Sequence, residues 1–218
     1  MRRHSHNHPV GDQDAVIRWA WLYDLGLRVW WRRGKRWRDE LLARLDLQPG
    51  QRVLDIGSGT GQLAFALADR VTPGGSVDGV DAGSEMVSRA ERANRRRGRP
   101  VTFATARAQQ LPFPEGTFDA VTCTLALHHV ARDNRATAVG EMYRVLRPGG
   151  RVLIAEFDGA GGAGFTPLAR LHTRHPEHAR ALDEAVGLLT EAGFTTVTRG
   201  PTTINGIGHV VASRPANP

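Results

Sequence analysis

The chain has 218 residues, of which 40% are hydrophobic and 23% are charged, and its formal net charge is +7. This length suits one well-cored domain, and the composition excludes a largely disordered chain. The single cysteine, Cys123, excludes an internal disulfide framework and a multi-cysteine zinc site, so we expect a cytoplasmic protein. Lys35 is the only lysine among 29 basic residues, and this skew indicates a compositional bias rather than a nucleic-acid partner.

Residues 1–48 precede the first predicted strand. We expect residues 1–12, which are basic and rich in histidine, to be a mobile tail and not a secretory signal, because no apolar segment follows them. Residues 14–47 carry apolar side chains at spacings of three and four, which predicts two helices. We therefore interpret residues 13–48 as a helical cap. No apolar run reaches the roughly 20 residues that span a bilayer.

From Arg52 onward the predicted elements alternate. The first half is predicted as strand Arg52–Ile56, helix Leu63–Val71, strand Ser76–Asp81, helix Glu85–Arg97 capped by Ser84, and strand Val101–Thr105. The second half is predicted as strand Phe118–Thr124, helix Asn134–Leu146, strand Arg151–Phe157, helix His178–Ala192, and strands Thr195–Gly200 and His209–Ser213 joined at Asn205–Gly206. This alternation predicts an α/β core over residues 49–218, with a mainly parallel, doubly wound sheet, in a single domain over 13–218.

The segment Val53–Gly61 combines a short apolar strand with a glycine-rich turn and the start of a helix. Glycine allows both the tight turn and the close approach of a ligand to the backbone, and the helix directs free N–H groups at that ligand. Asp81 ends the next predicted strand, 20 residues after Gly61. A carboxylate at that place can accept the hydroxyl hydrogens of a ribose, so the pair indicates a cofactor that contains adenosine.

The identity of that cofactor depends on two positions. The dinucleotide-binding pattern requires a glycine where this chain has Gln62. Asp55, just before the loop, would repel a pyrophosphate but suits a cationic amino-acid group. The sequence therefore favours S-adenosylmethionine over a nicotinamide cofactor, and the remaining alternative is a glycine turn without a ligand.

Three ordered segments resemble the class I S-adenosylmethionine-dependent methyltransferases, specifically their ubiquinone and menaquinone biosynthesis branch. These segments are Val53–Gly61, Leu111–Val121, and Leu127–Val130 followed by Glu141–Gly150, with Trp21–Asp24 adding to the likeness. The resemblance implies a Rossmann-like seven-stranded sheet of order 3-2-1-4-5-7-6, in which strand 7 is antiparallel. It also implies methyl transfer from S-adenosylmethionine to a small hydrophobic or aromatic acceptor (a quinone, lipid or secondary metabolite), with S-adenosylhomocysteine as product and no metal.

The resemblance assigns the cofactor site position by position. Asp55, Gly57 and Gly59 would lie along the methionine part, with Ser58 and Gly61 in the same loop, and Asp81, followed by Ala82, would bind the ribose. Thr124 and Leu125 would face the cofactor amino group and the transferring methyl. Met86 would contact the adenine or belong to the core, and Tyr23 would close over the cofactor carboxylate or simply pack.

The chain departs from the family pattern at Arg107–Ala108, where an acidic residue followed by alanine is usual. The acid accepts a hydrogen bond from the adenine amino group, and arginine has only donors. Four interpretations stay open: Gln109 supplies the acceptor, the backbone and stacking hold the adenine, cofactor affinity is reduced, or Arg107 serves the acceptor substrate.

The candidate catalytic residues are His128 and His129, which follow the fourth strand at the edge where open α/β sheets bind ligands. One of them is a general base if the acceptor must lose a proton, and the alternative is a structural role for both. His172, His175 and His178 have helical spacing, but Pro176 interrupts it, so we predict a loop or substrate lid there and no metal site.

All five tryptophans lie within residues 19–37, and seven basic residues lie within residues 18–38. This pattern suits either a membrane-surface contact at a lipid-like substrate entrance or a helical cover with solvated arginines. We expect a small-molecule acceptor as the partner. Two competing functions are a non-catalytic S-adenosylmethionine-binding protein on the same fold and a nucleic-acid methyltransferase, although Thr124–Leu127 stands where an amino-methylating enzyme would have an Asn-Pro-Pro-Tyr-type loop.

Overall fold

Seven strands form one sheet in the computed structural model, which describes residues 34–158, 180–204 and 206–216. The strands are β1 (Arg52–Ile56), β2 (Ser76–Asp81), β3 (Val101–Thr105), β4 (Phe118–Thr124), β5 (Leu146–Phe157), β6 (Thr195–Pro201) and β7 (Ile207–Ser213). Their order across the sheet is β3-β2-β1-β4-β5-β7-β6. Strands β1 to β5 pair in parallel, and β7 is antiparallel to both of its neighbours. The predicted order and strand direction are confirmed.

Five described helices accompany this sheet. They are α1 (residues 34–45), α2 (Gln62–Val71), α3 (Ser84–Arg97), α4 (Arg132–Val145) and α5 (Ala181–Glu191), and a short 3₁₀ turn spans Leu127–His129. From Arg36 onward the described residues belong to one compact unit. The first predicted cap helix and the predicted boundary after residue 12 lie outside the described residues, so the predicted division of the chain stays a prediction. None of the described helices has the length and apolar character that a bilayer crossing requires.

The core lies between the helices and the central strands. Strands β1 and β4, and β5 from Val152 onward, are almost continuously buried, as expected when helices cover both faces of a parallel sheet. Helix α1 buries the four residues of its predicted apolar face, Trp37, Leu41, Leu42 and Leu45. Two buried acids interrupt the apolar strands, Asp55 on β1 and Glu156 on β5. Each lies near the carboxyl end of its strand, so the exceptions mark that edge of the sheet.

The order of the strands creates a crevice at this edge. Strand β1 pairs with β2 on one side and with β4 on the other, because the chain runs outward from β1 to β3 and then returns to add β4 on the opposite side of β1. Open α/β sheets bind ligands where the strand order reverses in this way. The carboxyl ends of β1, β2 and β4 therefore position the candidate site.

Two predicted element boundaries are wrong. Ser84 does not cap α3, because the helix begins at Ser84 and its N-cap is Gly83, without a side-chain hydrogen bond. Strand β5 begins at Leu146, before Pro148–Gly150, instead of at Arg151. Leu146 pairs with Phe118, and the register then shifts between Phe118 and Ala120. Periodicity of side chains does not reveal such an irregular pairing, because it is made by the backbone.

Candidate active site

The glycine loop after β1 is held by the end of β2. The N–H groups of Gly57 and Ser58 both donate to the Val80 carbonyl, at 2.8 and 3.0 Å. Gly57 has a φ of +71°, and a Cβ there would overlap the Ala126 Cβ, so the loop passes too close to the segment after β4 for any side chain. Gly59 has a φ of +52° but nothing within 4 Å of a Cβ. Its backbone therefore borders open space, as a ligand requires.

Asp81 connects this loop to the start of α3. One carboxylate oxygen accepts the Gly59 N–H at 2.9 Å, and the other accepts the Gly83 N–H at 2.8 Å. The side chain is only partly buried. An ionised carboxylate has about four lone-pair sites, so two remain for hydroxyl donors from a ligand. The carboxylate predicted to bind the ribose is therefore held in place by the loop that would carry the methionine part.

Asp55 is the other acid of the site and is almost fully buried, with 1% exposed. Its Oδ1 accepts a hydrogen bond from the Thr122 hydroxyl at 2.8 Å. Within the described part of the chain, its Oδ2 and the nearby Ser58 hydroxyl are buried without a hydrogen-bond partner. Burial raises the pKa of the Asp55 carboxyl to about 7; the Thr122 hydrogen bond opposes this rise and the charge of Asp81 adds to it. Both groups would gain from a polar, cationic ligand.

This donor and acceptor set fits S-adenosylmethionine. The buried Asp55 oxygen suits its ammonium group, the free lone pairs of Asp81 suit its ribose, and the open space at Gly59 leaves room for its chain. Gly61 precedes α2, and a Cβ there would lie 2.7 Å from the Phe103 ring, so this glycine serves packing.

The residues predicted around the adenine lie beside Asp81. Ala82 is exposed, and Met86 is partly buried, with its Cγ 3.6 Å from where a Gly83 Cβ would stand. The Ala106 N–H donates to the Asp81 carbonyl at 3.0 Å, which brings the turn after β3 to the same edge. Tyr23, predicted to close over the site, lies outside the described residues.

Arg107 begins this turn and is exposed. Its carbonyl accepts the Gln110 N–H at 3.0 Å, while Ala108 and Gln109 are partly buried. Nothing in this geometry makes Arg107 an acceptor for the adenine amino group, and Gln109 and Gln110 are the residues of the turn whose side chains can accept a hydrogen bond.

A carboxylate and a guanidinium on α4 hold residues 111–113, the segment that follows the turn at Arg107. Glu141 accepts the Leu111 N–H at 2.8 Å, and Arg144 donates to the carbonyls of Phe113 and Leu111 at 2.8 and 3.2 Å. Arg144 also donates to Glu141, and this hydrogen bond lowers the pKa of the Glu141 carboxyl. The second and third recognised segments are thus in contact, an interaction that the sequence analysis missed.

The end of β4 lies between the cofactor side of the site and β5. Thr124 and Leu125 are partly buried, and the Leu125 N–H donates to the Ala155 carbonyl at 2.8 Å. Leu125 has a φ of +51°, a left-handed conformation that costs a leucine roughly 1 kcal/mol or more. Such strain persists where the surrounding contacts impose it, commonly at functional sites.

The structure separates the two candidate catalytic histidines. His128 is buried, and its Nδ1 lies 2.7 Å from a Glu156 carboxylate oxygen. His129 is exposed, and its ring centroid lies 4.0 Å from that of His128. Sequence analysis missed Glu156, although a glutamate within the apolar run Val152–Phe157 is itself a signal of a buried charge with a partner. His172, His175 and His178 lie outside the described residues.

The comparisons with known proteins agree with this geometry. Residues 53–150 match the family described as "Methyltransferase domain". The chain is 36% identical over 184 residues to demethylmenaquinone methyltransferase of Beutenbergia cavernae, covering 74% of this chain and 72% of that protein. It is 34% identical over 141 residues to the ubiquinone/menaquinone biosynthesis C-methyltransferase of Xanthomonas campestris, covering 64% of this chain and only 55% of that longer relative.

A solved structure agrees at the level of the fold. The S-adenosylmethionine-dependent methyltransferase of Aquifex aeolicus has a TM-score of 0.67 and 23% identity, covering 81% of this chain and 89% of that one. The strand order is therefore that of a known methyltransferase fold. This chain belongs to the class I S-adenosylmethionine-dependent methyltransferases and, within them, resembles the ubiquinone and menaquinone branch.

Proposed function

We propose that this methyltransferase transfers the methyl group of S-adenosylmethionine to a ring carbon of a reduced, quinone-type aromatic acceptor, with S-adenosylhomocysteine as the other product. Two acids support the choice of cofactor. Asp55 is buried with one oxygen that has no hydrogen-bond partner among the described residues, and Asp81 is held by the N–H groups of Gly59 and Gly83. The acceptor half is supported by the relatives, which are named for quinone biosynthesis.

The residues of the chain supply binding and orientation. Bound S-adenosylmethionine would supply an electrophilic methyl group on a sulfonium. Asp55 would hold the ammonium end and Asp81 the ribose, so the molecule would be gripped at two points across the glycine loop. Because both acids belong to adjacent strands of a rigid sheet, the methyl group would be presented in one place, and positioning is the main source of rate in such a transfer.

The experiment is a transfer assay with labelled S-adenosylmethionine and three acceptors: a reduced demethylmenaquinone with a short isoprenoid tail, phosphoethanolamine and transfer RNA. We expect methylated naphthoquinol and no transfer to the other two. Transfer to RNA alone would contradict the proposal and restore the nucleic-acid alternative. Binding of S-adenosylmethionine without transfer to any aromatic acceptor would leave the cofactor assignment and reject the acceptor class.

A matched pair of variants tests the cofactor assignment separately. Asp81→Asn removes the charge and turns one acceptor into a donor, so S-adenosylmethionine affinity should fall by about ten- to hundredfold, since a hydrogen bond to a charged group contributes roughly 1.5–3 kcal/mol. Asp69→Asn, on the exposed face of α2 where Asp69 pairs with Arg99, is the control. Equal calorimetric affinities for the two variants would reject the ribose assignment.

A further inference from the structure

A buried carboxylate lies beneath the 3₁₀ turn that follows β4. Glu156 has no exposed surface, and one of its oxygens accepts the N–H groups of Leu127 and His128, at 2.8 and 3.3 Å. The other oxygen lies 2.7 Å from the Nδ1 of His128. Three donors therefore converge on one carboxylate, which can accept all of them when it is ionised. A carboxylate beside Nδ1 favours the tautomer of His128 in which Nδ1 bears the hydrogen and donates it.

The same turn is held from its other end by a buried cation. Arg135, on α4, donates to the carbonyls of His128 and Val130 at 2.9 and 3.0 Å. Its third nitrogen contacts Glu184 on α5 at 2.5 Å. Apolar residues stabilise a buried turn at lower cost than two desolvated charges do. Glu156 and Arg135 nonetheless hold this turn with several directional hydrogen bonds, which fix its backbone geometry. This favours a role in positioning the side chains of the turn.

The 3₁₀ turn determines where His129 lies at the carboxyl end of β4. It begins two residues after the strained Leu125, and Ala126 in between packs against Gly57 of the cofactor loop. His129 closes the turn, is exposed, and lies against the buried ring of His128. Of the two histidines, His129 is thus the one that an incoming acceptor can meet.

We propose that Glu156 is a positioning residue for the methyl acceptor: through His128 it places the His129 imidazole against the acceptor hydroxyl. The inference rests on the proposed function, because it requires a hydroxylated aromatic acceptor at this edge. His129 takes the hydroxyl proton while the neighbouring ring carbon forms a bond to the methyl carbon. The carbon–sulfur bond breaks and its electron pair stays on sulfur. The ring carbon then loses its hydrogen as a proton to water, and His129 returns its proton to the ring oxygen, which restores the aromatic ring with its hydroxyl group.

The main test is Glu156→Gln, which keeps the size of the side chain. Its amide oxygen can still accept the backbone N–H groups, but its amide nitrogen is a donor and cannot accept the proton on Nδ1 of His128. We expect S-adenosylmethionine affinity within about twofold of wild type, and kcat for the reduced short-tail demethylmenaquinone lowered by about tenfold or more, the lower range of general-base effects. Glu91→Gln, on the exposed face of α3, is the matched control and should leave both values unchanged.

A spectroscopic readout tests the positioning without any acceptor. Imidazole nitrogen-15 NMR should show His128 with its proton on Nδ1 in the wild type and a changed tautomer distribution in Glu156→Gln. An Nε2–H tautomer in the wild type, or unchanged kcat in Glu156→Gln, overturns the proposal. If the wild type methylates no quinol but shows the expected tautomer, the proposed function fails while the positioning of His128 stands.

A second variant covers the case in which Glu156→Gln does not fold. His129→Gln replaces an exposed side chain, so the fold should be retained. It should lose turnover to a similar degree, and the acidic limb of the kcat–pH profile, where protonation of the wild-type base lowers turnover, should disappear. Full turnover by His129→Gln, with an unchanged pH profile, overturns the proposal whatever the behaviour of Glu156→Gln.

Discussion

Replacing Asp55 by asparagine should make the free protein more stable and the cofactor site weaker. Asparagine has the size of aspartate and its oxygen can still accept the Thr122 hydroxyl, so the change removes mainly the buried charge. Burial raises the pKa of Asp55 from 3.8 to about 7. At 1.36 kcal/mol per pKa unit, ionising this group in the folded protein costs about 4 kcal/mol.

The sign of the pH dependence follows from the raised pKa. The folded protein holds the Asp55 proton more tightly than the unfolded chain, so this group lowers the free energy of unfolding as pH rises from 3.8 to about 7. Above that range the full cost is present in wild type and absent in Asp55→Asn. Urea unfolding should therefore show a variant more stable by about 1.6 kcal/mol at about pH 5 and by up to about 4 kcal/mol at about pH 8.5. The reasoning is refuted if the difference between the two proteins does not change with pH.

The same Asp55→Asn change that should stabilise the free protein should weaken its binding of S-adenosylmethionine. The ammonium group of S-adenosylmethionine should lower the pKa of Asp55, so binding near pH 7 should release about half a proton from the wild-type site. Calorimetry in two buffers of different ionisation enthalpy measures this release directly. Asp55→Asn should bind more weakly and release none, and an equal release by both proteins would mean that another group loses the proton.

Four further expectations concern other parts of the chain. Gly57→Ala should lower the unfolding free energy by about 1–3 kcal/mol, because its Cβ would overlap Ala126, and thermal melts check this. Gly59→Ala, where the Cβ meets only open space, should weaken S-adenosylmethionine binding more than it lowers stability. If the site binds adenine in the family's manner, Arg107→Asp restores the missing acceptor and should improve cofactor affinity by about 0.5–1.5 kcal/mol, whereas weaker binding would mean that Arg107 itself supports the cofactor. If residues 19–37 contact membranes, the protein should sediment with anionic vesicles at low salt and dissociate at high salt, whereas the cover-helix interpretation expects no sedimentation.

The parts of the structure that were predictable depend on local patterns. The glycine loop and Asp81 could be recognised because each depends on residue types at fixed positions: glycines where the turn needs a positive φ, and an acid at the end of a strand. The strand order came from the resemblance, since alternation alone predicts a parallel sheet but not which strands are neighbours. Helix α4 was located to within two residues at each end, at Arg132 and Val145, because its apolar spacing and the following Pro148 are local as well.

The parts that were not predictable are contacts between distant residues. Glu141 reaches Leu111 across 30 positions, and Glu156 reaches the turn at His128 across 28. No spacing rule connects such pairs, because the sheet order decides which of them meet. The start of β5 was missed for a related reason: Gly150 lies close to the Asp119 carbonyl, at 3.0 Å from a hypothetical Cβ, so the Pro-Gly-Gly segment that indicated a stop belongs to an irregular strand pairing.

The two buried acids of the sheet lie on opposite sides of β4. Asp55 on β1 contacts Thr122 of β4, and Glu156 on β5 contacts the turn that β4 leads into. Both charges act on the buried Cys123 thiol of β4 and, after burial itself, help to raise its pKa well above the usual value. In the proposed reaction, β4 would therefore separate the cofactor from the acceptor, and the methyl group would cross at the carboxyl end of β4. Leu125 has its left-handed conformation there, so the backbone strain lies where the two substrates would have to be aligned most closely.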